Sequence, residues 1–390
     1  MSQDRFDVVI VGGAAIGSSV AYFLTHDLPF AGTVAVIERD PTYAHAATTL
    51  SVASIRQQFS TAESIRMSRF GIAFIKGFKE RFGRDADIAF REGGYLLLAT
   101  ERGRAVLSAN AGLQQAEGAD VVLMAPAALA RRFAFLRTDD LAAGAYGQSG
   151  EGWFDGHSLL DLLRRQARRK GVAYLNGEVS GITRRHDRIA AVTLADGRQI
   201  GCGILVNAAG PQAGDVAALA GVALPVEPRK RCVFVVSCRA ELAAMPLIVD
   251  PGGVWVRPEG GAYLCGVSPP QDADPRDDGF DVTYALFDDV VWPALAHRIP
   301  AMQALKLERA WAGHYDFNPF DHNAILGPHS AVENLLFANG FSGHGLQHAP
   351  AVGRAIAELI VHGRYVSLDL AVFGYARIAD GRPLRELNVI

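Results

Sequence analysis

A glycine-rich turn near the N-terminus constrains the fold more than any other feature of the chain. A β-branched run, Asp7–Val11, leads into Gly12-Gly13, and an apolar stretch of helical length, Ile16–Thr25, follows. Thr33–Ile37 reads as a second buried strand that ends at Glu38. Strand, tight turn, helix and strand form the βαβ unit of dinucleotide-binding folds. A carboxylate at Glu38 can accept both ribose hydroxyls of an adenosine and would repel a 2′-phosphate, so the pattern argues against NADP.

The turn departs from the usual three-glycine spacing at its second glycine. Gly12 suits the sharp turn and Gly17 the close packing of helix on strand, but Ala14 stands where the backbone must approach a pyrophosphate most closely. The helix N-terminus still offers N–H groups and partial positive charge to the phosphates. The alternative interpretation is an ordinary buried α/β turn that binds nothing.

Composition excludes several classes of protein. The 390 residues suit two domains, and a net charge of −3 gives no reason to expect nucleic acid as a partner. The four cysteines form no CxxC pair, and no His/Cys cluster predicts a metal site. The uncharged run Val8–Leu24 is explained by a buried strand, turn and helix, so we expect no integral membrane segment. We expect a cytoplasmic protein with reduced thiols.

A strand–turn–helix pattern recurs near the C-terminus. Asn334–Asn339 reads as a strand, Gly340–Gly345 as a glycine-rich turn and Ala349–Val361 as a helix, whereas residues 221–314 are β-like with Pro and Gly turns. We therefore predict an α/β fold (α+β overall), with a Rossmann-like nucleotide domain and an inserted substrate domain on an antiparallel sheet. The predicted bounds are 1–85, 146–220 and 315–390 for the nucleotide domain, and 86–145 and 221–314 for the substrate domain.

Several segments in a fixed order carry a resemblance to a known family. Through these segments, which extend over essentially its whole length, the chain resembles the superfamily of FAD-dependent D-amino-acid oxidases and sarcosine/dimethylglycine oxidases and dehydrogenases. It is also similar to the mitochondrial FAD-dependent oxidoreductase-domain protein, through Thr42-Tyr43 to Phe59 and Trp311 to Asp321. The ordered segments are Gly12–Gly17, Glu38-Arg39, Ser54–Phe59, Gly94–Leu96, Val206–Gly210 and Gly340–Gly345.

The resemblance implies FAD as the cofactor, and it implies a set of contacts. A glycine turn that opens a helix also suits the negative charge of a reduced flavin, because backbone N–H groups and the helix dipole face that charge. A structural helix cap is the alternative for this turn. The residues expected to bind FAD are Gly12, Ala14, Ala15, Ile16, Gly17, Glu38, Arg39, Ser51, Val179, Ala208, Ala209, Gly210, Gly343, His344, Gly345, Leu346 and Gln347.

Arg56 is the first candidate for binding a substrate carboxylate. It lies between apolar neighbours, its planar fork matches a carboxylate, and an Arg of the matching segment has that role in sarcosine oxidases. A structural salt bridge is the rival interpretation. Arg257 is a second candidate in the β-rich segment, and the resemblance adds Tyr263, His344 and Gln347 to the expected catalytic residues.

The chain departs from the oxidase pattern in two ways. Monomeric sarcosine oxidases attach FAD to a Cys in the segment that matches Gly313–Tyr315, which here contains none, so we expect non-covalent FAD. A histidyl link through His45 or His314 is an alternative. Those oxidases also place Lys residues near the flavin, and the matching places here lie around Leu264 and at Gln347, neither of which is a Lys. We therefore expect slow reaction with oxygen and another electron acceptor, such as a carrier protein or quinone.

The resemblance predicts a reaction class. We expect oxidation of the C–N bond of a small amino acid or N-methylated amine by hydride transfer to flavin N5, followed by hydrolysis of the imine. A flavin oxidoreductase of a 2-hydroxy acid, an FAD-containing electron-transfer or assembly factor, and a simple NAD-dependent dehydrogenase are the alternatives. Fold likeness alone does not choose among substrates.

Overall fold

The computed structural model describes residues 4–240, 242 and 244–387. These residues form two compact units. Unit 1 comprises residues 4–51, 155–229 and 314–387, and unit 2 comprises residues 52–154 and 230–313. Each unit therefore draws on segments that are far apart in the sequence.

Strands of the described residues belong to two eight-stranded sheets and one two-stranded sheet. In chain order they are β1 Asp4–Val11, β2 Val34–Glu38, β3 Ser54–Ile55, β4 Tyr95–Ala99, β5 Val121–Met124, β6 Ala143–Gly147, β7 Gly152–Trp153, β8 Ala173–Asn176, β9 Val179–Arg185, β10 Arg188–Leu194, β11 Gln199–Asn207, β12 Glu227–Ser237, β13 Leu247–Val249, β14 Trp255–Glu259, β15 Ala262–Gly266, β16 Lys306–Phe317, β17 Ile325–Pro328 and β18 Leu335–Asn339.

Helices of the described residues range from one turn to 18 residues. The α-helices are α1 Ala15–His26, α2 Ala47–Leu50, α3 Ala62–Lys76, α4 Phe78–Phe82, α5 Glu101–Ala116, α6 Pro126–Arg132, α7 Gly156–Arg169, α8 Ala213–Leu219, α9 Trp292–Arg298, α10 Gly345–His362 and α11 Ala376–Ala379. Short 3-10 turns occur at Gly210–Gln212, Gln271–Ala273, Pro300–Ala304 and Ala371–Phe373, and a π-helical turn at Phe287–Val291.

Unit 1 has a parallel sheet at its centre. The strand order is β17-β18-β11-β1-β2-β8; β10 also pairs with β11, and β9 pairs with β10. The pairs β1–β11, β1–β2, β2–β8 and β11–β18 are parallel. Val8, Val9 and Ile10 of β1 are fully buried, as expected for a central parallel strand. The predicted Rossmann-like fold is therefore confirmed.

Helices of unit 1 pack against one another at close range. α1 packs against α7 and α10. The helices α1 and α10 approach so closely that a Cβ on Gly353 would lie within 2.6 Å of the Ser19 backbone. The sequence predicted that the C-terminal helix begins at Ala349, but it begins at Gly345. Pro350 lies inside the helix, where it lacks an N–H to bond back to the preceding turn, yet the helix continues through it.

Unit 2 is built on a mostly antiparallel sheet. Its order is β16-β12-β15-β14-β13-β4-β6-β5, and β13–β4 is a parallel pair within it. One core cluster includes Phe234, Val256 and Leu295, and another includes Phe59, Leu97 and Trp153. This sheet agrees with the predicted antiparallel domain, apart from the β13–β4 pair.

The bounds of the compact units differ from the predicted domain bounds at four places. Residues 52–85 and 146–154 lie in unit 2, because β3 pairs with β7 and the buried side chain of Phe59 joins the core of the unit 2 sheet. Residues 221–229 and 314 lie in unit 1; within this stretch Val222, Leu224 and Val226 pack with the central strands of that unit. The assignment of cofactor and substrate to the two units stays a prediction.

Candidate flavin site and candidate substrate residues

The β1–α1 turn is held by contacts that only glycine permits. Gly12 has φ +97°, and a Cβ there would collide with the carbonyl group of Ala208 at the end of β11. Its N–H donates to Ile37 O at 2.9 Å, while Ala208 N donates to Val11 O at 2.8 Å. A Cβ on Gly17 would strike the Gly12 carbonyl oxygen. The turn thus ties the ends of three parallel strands together under the first turn of α1.

Ala14 is compatible with the conformation that this turn requires. It is the N-cap of α1, with φ −70° and ψ −160°, an extended conformation that alanine adopts without strain. Its side chain makes no capping hydrogen bond. Ala14 and Ile16 are partly exposed, whereas Ala15 is buried and donates its N–H to Thr48 Oγ1 at 3.2 Å. The partly exposed N-terminus of this 12-residue helix has the donors and the dipole that a pyrophosphate needs.

Glu38 lies at the corner between β2 and the glycine turn. Its Oε2 accepts the Gly13 N–H at 2.8 Å, and its Oε1 accepts the Asp40 N–H at 3.0 Å. Each carboxylate oxygen has a further lone pair, which can accept a ribose hydroxyl. Tyr43 was missed by the sequence reasoning: it is buried, and a Cβ on Gly13 would lie 2.9 Å from its hydroxyl. Burial, and next the charge of Glu38, raises the pKa of Tyr43.

Other predicted FAD contacts lie at different points of unit 1. Arg39 donates to Gln212 Oε1 at 3.1 Å, Ser51 follows α2, and Val179 begins β9. Ala208, Ala209 and Gly210 follow β11, where the Asn207 side chain accepts the Ala209 N–H at 3.2 Å and donates to Ala213 O at 2.9 Å.

The Gly340–Gly345 turn connects β18 to α10. Gly340, Ser342 and Gly343 have φ values of +74°, +51° and +101°, so three residues of the turn adopt left-handed backbone. A Cβ on Gly343 would lie 2.6 Å from the ring of Tyr315. The turn ends at His344, the N-cap of α10, which makes no side-chain capping bond. The N–H groups of the following turn, Gly345 to Gln347, are therefore suited to an anion such as a reduced flavin.

Asp316 organises this turn, and the sequence reasoning did not find it. Its Oδ2 accepts the N–H groups of Gly340 at 3.0 Å and Phe341 at 3.2 Å. Burial raises the pKa of Asp316 to about 7, although the N–H groups of Phe341 and Gly340 act in the opposite direction. An acid 24 residues before its partner has no local sequence signal, so only the tertiary structure reveals it.

Arg56 in unit 2 is among the most deeply buried side chains. It is 2% exposed, and its guanidinium lies over the ring of Phe59 at 4.6 Å and near that of Tyr95 at 5.7 Å. The buried carboxyl of Glu151 accepts from Gln57 N at 2.5 Å and from Gln58 Nε2 at 2.8 Å.

The ionisation of Glu151 is coupled to these surroundings. Burial raises the pKa of Glu151 to about 7, against the lowering effects of the hydrogen bonds from Gln57 and Gln58 and of the positive charge of Arg56. A carboxyl that is partly protonated near neutral pH compensates the charge of a buried arginine only in part.

Arg257 is placed differently from Arg56. It forms an ion pair with Glu259 and donates to Val52 O at 2.9 Å, and its guanidinium lies 5.3 Å from the Trp153 ring. Burial lowers its pKa. These contacts join β14 to the segment before β3, which gives Arg257 a structural role whether or not it meets a substrate.

The remaining candidate catalytic residues are divided between the units. Tyr263 lies in β15 of unit 2, opposite Val236, and is 7% exposed. His344 and Gln347 lie at the start of α10 in unit 1, and His344 neighbours His348 with ring centroids 6.3 Å apart. Leu264 is buried in β15, and Gln347 lies in the first turn of α10.

Across 4–240, 242 and 244–387, no three His, Cys, Asp or Glu side chains are grouped to hold a metal ion. Within the same ranges, no helix combines the length and apolarity needed to cross a membrane.

Comparison with known proteins identifies the family. Residues 7–359 match the family model described as DAO, FAD dependent oxidoreductase. The chain belongs to the DAO family of FAD-dependent oxidoreductases. FAD is therefore its cofactor. The turns at Gly12–Gly17 and Gly340–Gly345 fit FAD, because each leads into a helix N-terminus of unit 1 and the first lies beside Glu38, whose carboxylate can accept ribose hydroxyls.

Individual relatives extend over the same length. The chain is 42% identical to FAD-dependent oxidoreductase domain-containing protein 1 of Xenopus laevis, covering 100% of this chain and 86% of that protein. It is 25% identical to mitochondrial dimethylglycine dehydrogenase of Rattus norvegicus, covering 93% of this chain but 43% of that protein. The recognition of this family from sequence is confirmed.

Solved structures agree on the fold. L-proline dehydrogenase from P. horikoshii superposes with a TM-score of 0.87 at 25% identity, covering 98% of this chain and 100% of that one. Glycine oxidase from Geobacillus kaustophilus superposes with a TM-score of 0.81 at 21% identity, covering 95% and 98%. The names of these two enzymes describe oxidation of amino acids.

Proposed function

We propose that this FAD-dependent oxidoreductase oxidises the C–N bond of a small amino acid or N-methylated amine. The observation that carries the proposal is the buried guanidinium of Arg56, stacked on Phe59 beside Tyr95. An arginine in such a site matches a carboxylate in shape and charge, which suits an amino acid more than a simple amine. The names of its relatives, dimethylglycine dehydrogenase and L-proline dehydrogenase, support the same class.

The residues of the chain bind and orient, while FAD, when bound, supplies the redox chemistry by accepting a hydride. Arg56 would hold the substrate carboxylate and so fix one orientation of the substrate. The nitrogen lone pair of the neutral amine forms the second C–N bond as the hydride leaves. Water then adds to the iminium carbon and releases the amine and a carbonyl product.

We propose that the electrons pass to an acceptor other than oxygen. The support is that neither Leu264 nor Gln347 offers the ammonium group that the sarcosine oxidases place near the flavin. A buried leucine cannot supply positive charge, and a glutamine supplies only a dipole. Oxygen turnover as fast as flavin reduction by substrate would contradict this. A cytoplasmic location is also proposed, supported by the free thiols of all four cysteines.

The test is anaerobic bleaching of the flavin spectrum by a panel of sarcosine, dimethylglycine, proline, D-amino acids and 2-hydroxy acids. Bleaching by an amino compound is the expected result, and bleaching by 2-hydroxy acids alone would contradict it. A flavin that no member of the panel bleaches would favour an electron-transfer or assembly role.

The role of Arg56 is tested with Arg56→Met, which keeps much of the length of the side chain but removes its charge. We expect a rise in KM of roughly a hundredfold for a carboxylate substrate, since a buried charge-assisted pair contributes about 2–3 kcal/mol. The matched control is Arg132→Met, because Arg132 also lies over an aromatic ring, 4.6 Å from the centroid of Tyr146, but is exposed. Equal KM values in the two variants would reject the assignment.

A further inference from the structure

The side-chain carboxyl and the backbone carbonyl of Asp316 together accept hydrogen bonds from three successive N–H groups of the Gly340–Gly345 turn. Asp316 Oδ2 accepts the N–H groups of Gly340 and Phe341 at 3.0 and 3.2 Å. The carbonyl oxygen of Asp316 accepts the next one, from Ser342, at 3.0 Å. The end of β16 therefore fixes the path of the backbone where it leaves β18.

The backbone conformation of this turn at Ser342 needs support from its surroundings. Ser342 has φ +51°, and a side chain other than glycine rarely occupies this region. Its hydroxyl accepts the Asn318 N–H at 3.1 Å, which adds a second tie to the same strand end. Left-handed conformations of this kind are retained only where the surrounding bonds determine them.

Charged side chains near the end of β16 are engaged in other ion pairs. Asp321 is paired with Arg377 at 2.7 Å, and Arg229 is paired with Glu227. The pKa of Asp316 is set by burial and by amide N–H groups, with no charged side chain of the described residues contributing. Its carboxyl therefore serves the turn rather than an ion pair.

We propose that Asp316 is a positioning residue for FAD: it sets the backbone of the Gly340–Gly345 turn and thereby places the N–H groups at the N-terminus of α10 that would bind the flavin. The inference depends on FAD as the cofactor and is independent of the substrate. It follows that a change at Asp316 alters FAD affinity more than it alters the stability of the FAD-free chain.

Asp316→Val is the primary variant, because a β-branched side chain suits strand β16 and fills the buried space without accepting a hydrogen bond. We expect the dissociation constant of FAD, measured by fluorescence titration of the FAD-free protein, to rise by about tenfold or more. Asp316→Asn keeps an acceptor oxygen and should restore affinity to within about threefold of wild type. Amide hydrogen exchange of the 340–342 segment should be faster in the Val variant than in the Asn variant.

The control for a general loss of stability is Asp155→Ala. Asp155 caps α7 in the same unit, where its carboxylate accepts the N–H groups of His157 and Ser158, so the substitution lowers the melting temperature without altering the turn. The proposal is wrong if Asp316→Val binds FAD as wild type does. It is also wrong if Asp155→Ala loses as much affinity as Asp316→Val. Should neither Asp316→Val nor Asp316→Ala fold, Asp316 is a structural residue of the unit and the proposal fails.

Discussion

Replacing Gly12 by alanine tests whether the β1–α1 turn is held as the geometry requires. A Cβ at Gly12 would lie 2.7 Å from the carbonyl carbon of Ala208 and 2.9 Å from Ala209 Cα, and both are backbone atoms that cannot rotate away. Positive φ in a residue other than glycine costs about 1–2 kcal/mol. Moving the backbone also weakens the bonds from Gly12 N to Ile37 O and from Ala208 N to Val11 O, each contributing about 1 kcal/mol.

The expected loss is therefore about 3–4 kcal/mol in the free energy of unfolding of the FAD-free protein, measured with urea. Gly197→Ala is the matched control, because Gly197 has φ +88° and an added methyl group would meet nothing within 4 Å, so only the strain of about 1–2 kcal/mol applies. We expect Gly12→Ala to weaken FAD binding by more than about tenfold and Gly197→Ala to leave it unchanged. Equal destabilisation by the two substitutions, with unchanged FAD affinity in both, would refute the reasoning.

Three further predictions concern the second turn and the buried titratable groups. Gly343→Ala should weaken FAD binding, since its methyl group would meet the Tyr315 ring, whereas Gly363→Ala after α10, with nothing within 4 Å, should affect only the melting temperature. Burial raises the pKa of Glu151 from its ordinary value of 4.5 to about 7, so Glu151 of the unfolded chain ionises at lower pH than Glu151 of the folded chain. Between pH 4.5 and 7, wild type should therefore lose about 3 kcal/mol of stability relative to Glu151→Gln. Parallel curves of stability against pH for the two proteins, measured with urea, would contradict this. At pH 8 a thiol reagent should label only the partly exposed Cys238 in the native protein, and all four cysteines after unfolding. Rapid labelling of more than one thiol in the native protein would contradict the burial of the other three.

The parts of the fold that could be predicted from sequence are those with a local signal. The glycine turn and Glu38 identified the parallel sheet of unit 1, because strand, turn, helix and acid must occur in that order for the βαβ unit to form. The β-rich character of residues 221–314 likewise identified the unit 2 sheet. The division of the chain near residue 52 was not visible, because it depends on the pairing of β3 with β7 across about a hundred residues.

The candidate site was predictable to a smaller extent. Residues on the two glycine turns were found from their sequence patterns, but the residues that support them were not. Tyr43 and Asp316 contact Gly13 and the 340–345 turn; both lie in segments that carry the family resemblance, but no sequence pattern showed which residue of each segment makes the contact. The rise in the pKa of Glu151 comes from burial, which a sequence does not report at a single acidic position.

The dispersal of unit 1 along the chain has a consequence for its biogenesis. Strand β11 pairs with β18, and α1 packs against α10, so the N-terminal segment of unit 1 completes its packing only after residues beyond 335 are synthesised. Unit 2 is synthesised by residue 313 and can complete its core earlier. The second of the two glycine turns is thus formed late in synthesis. Loss of the residues after 324 would remove that turn, together with β17 and β18. A chain that terminates early in this region should leave the edge of β11 unpaired. Such a chain should bind chaperones and fail to bind FAD.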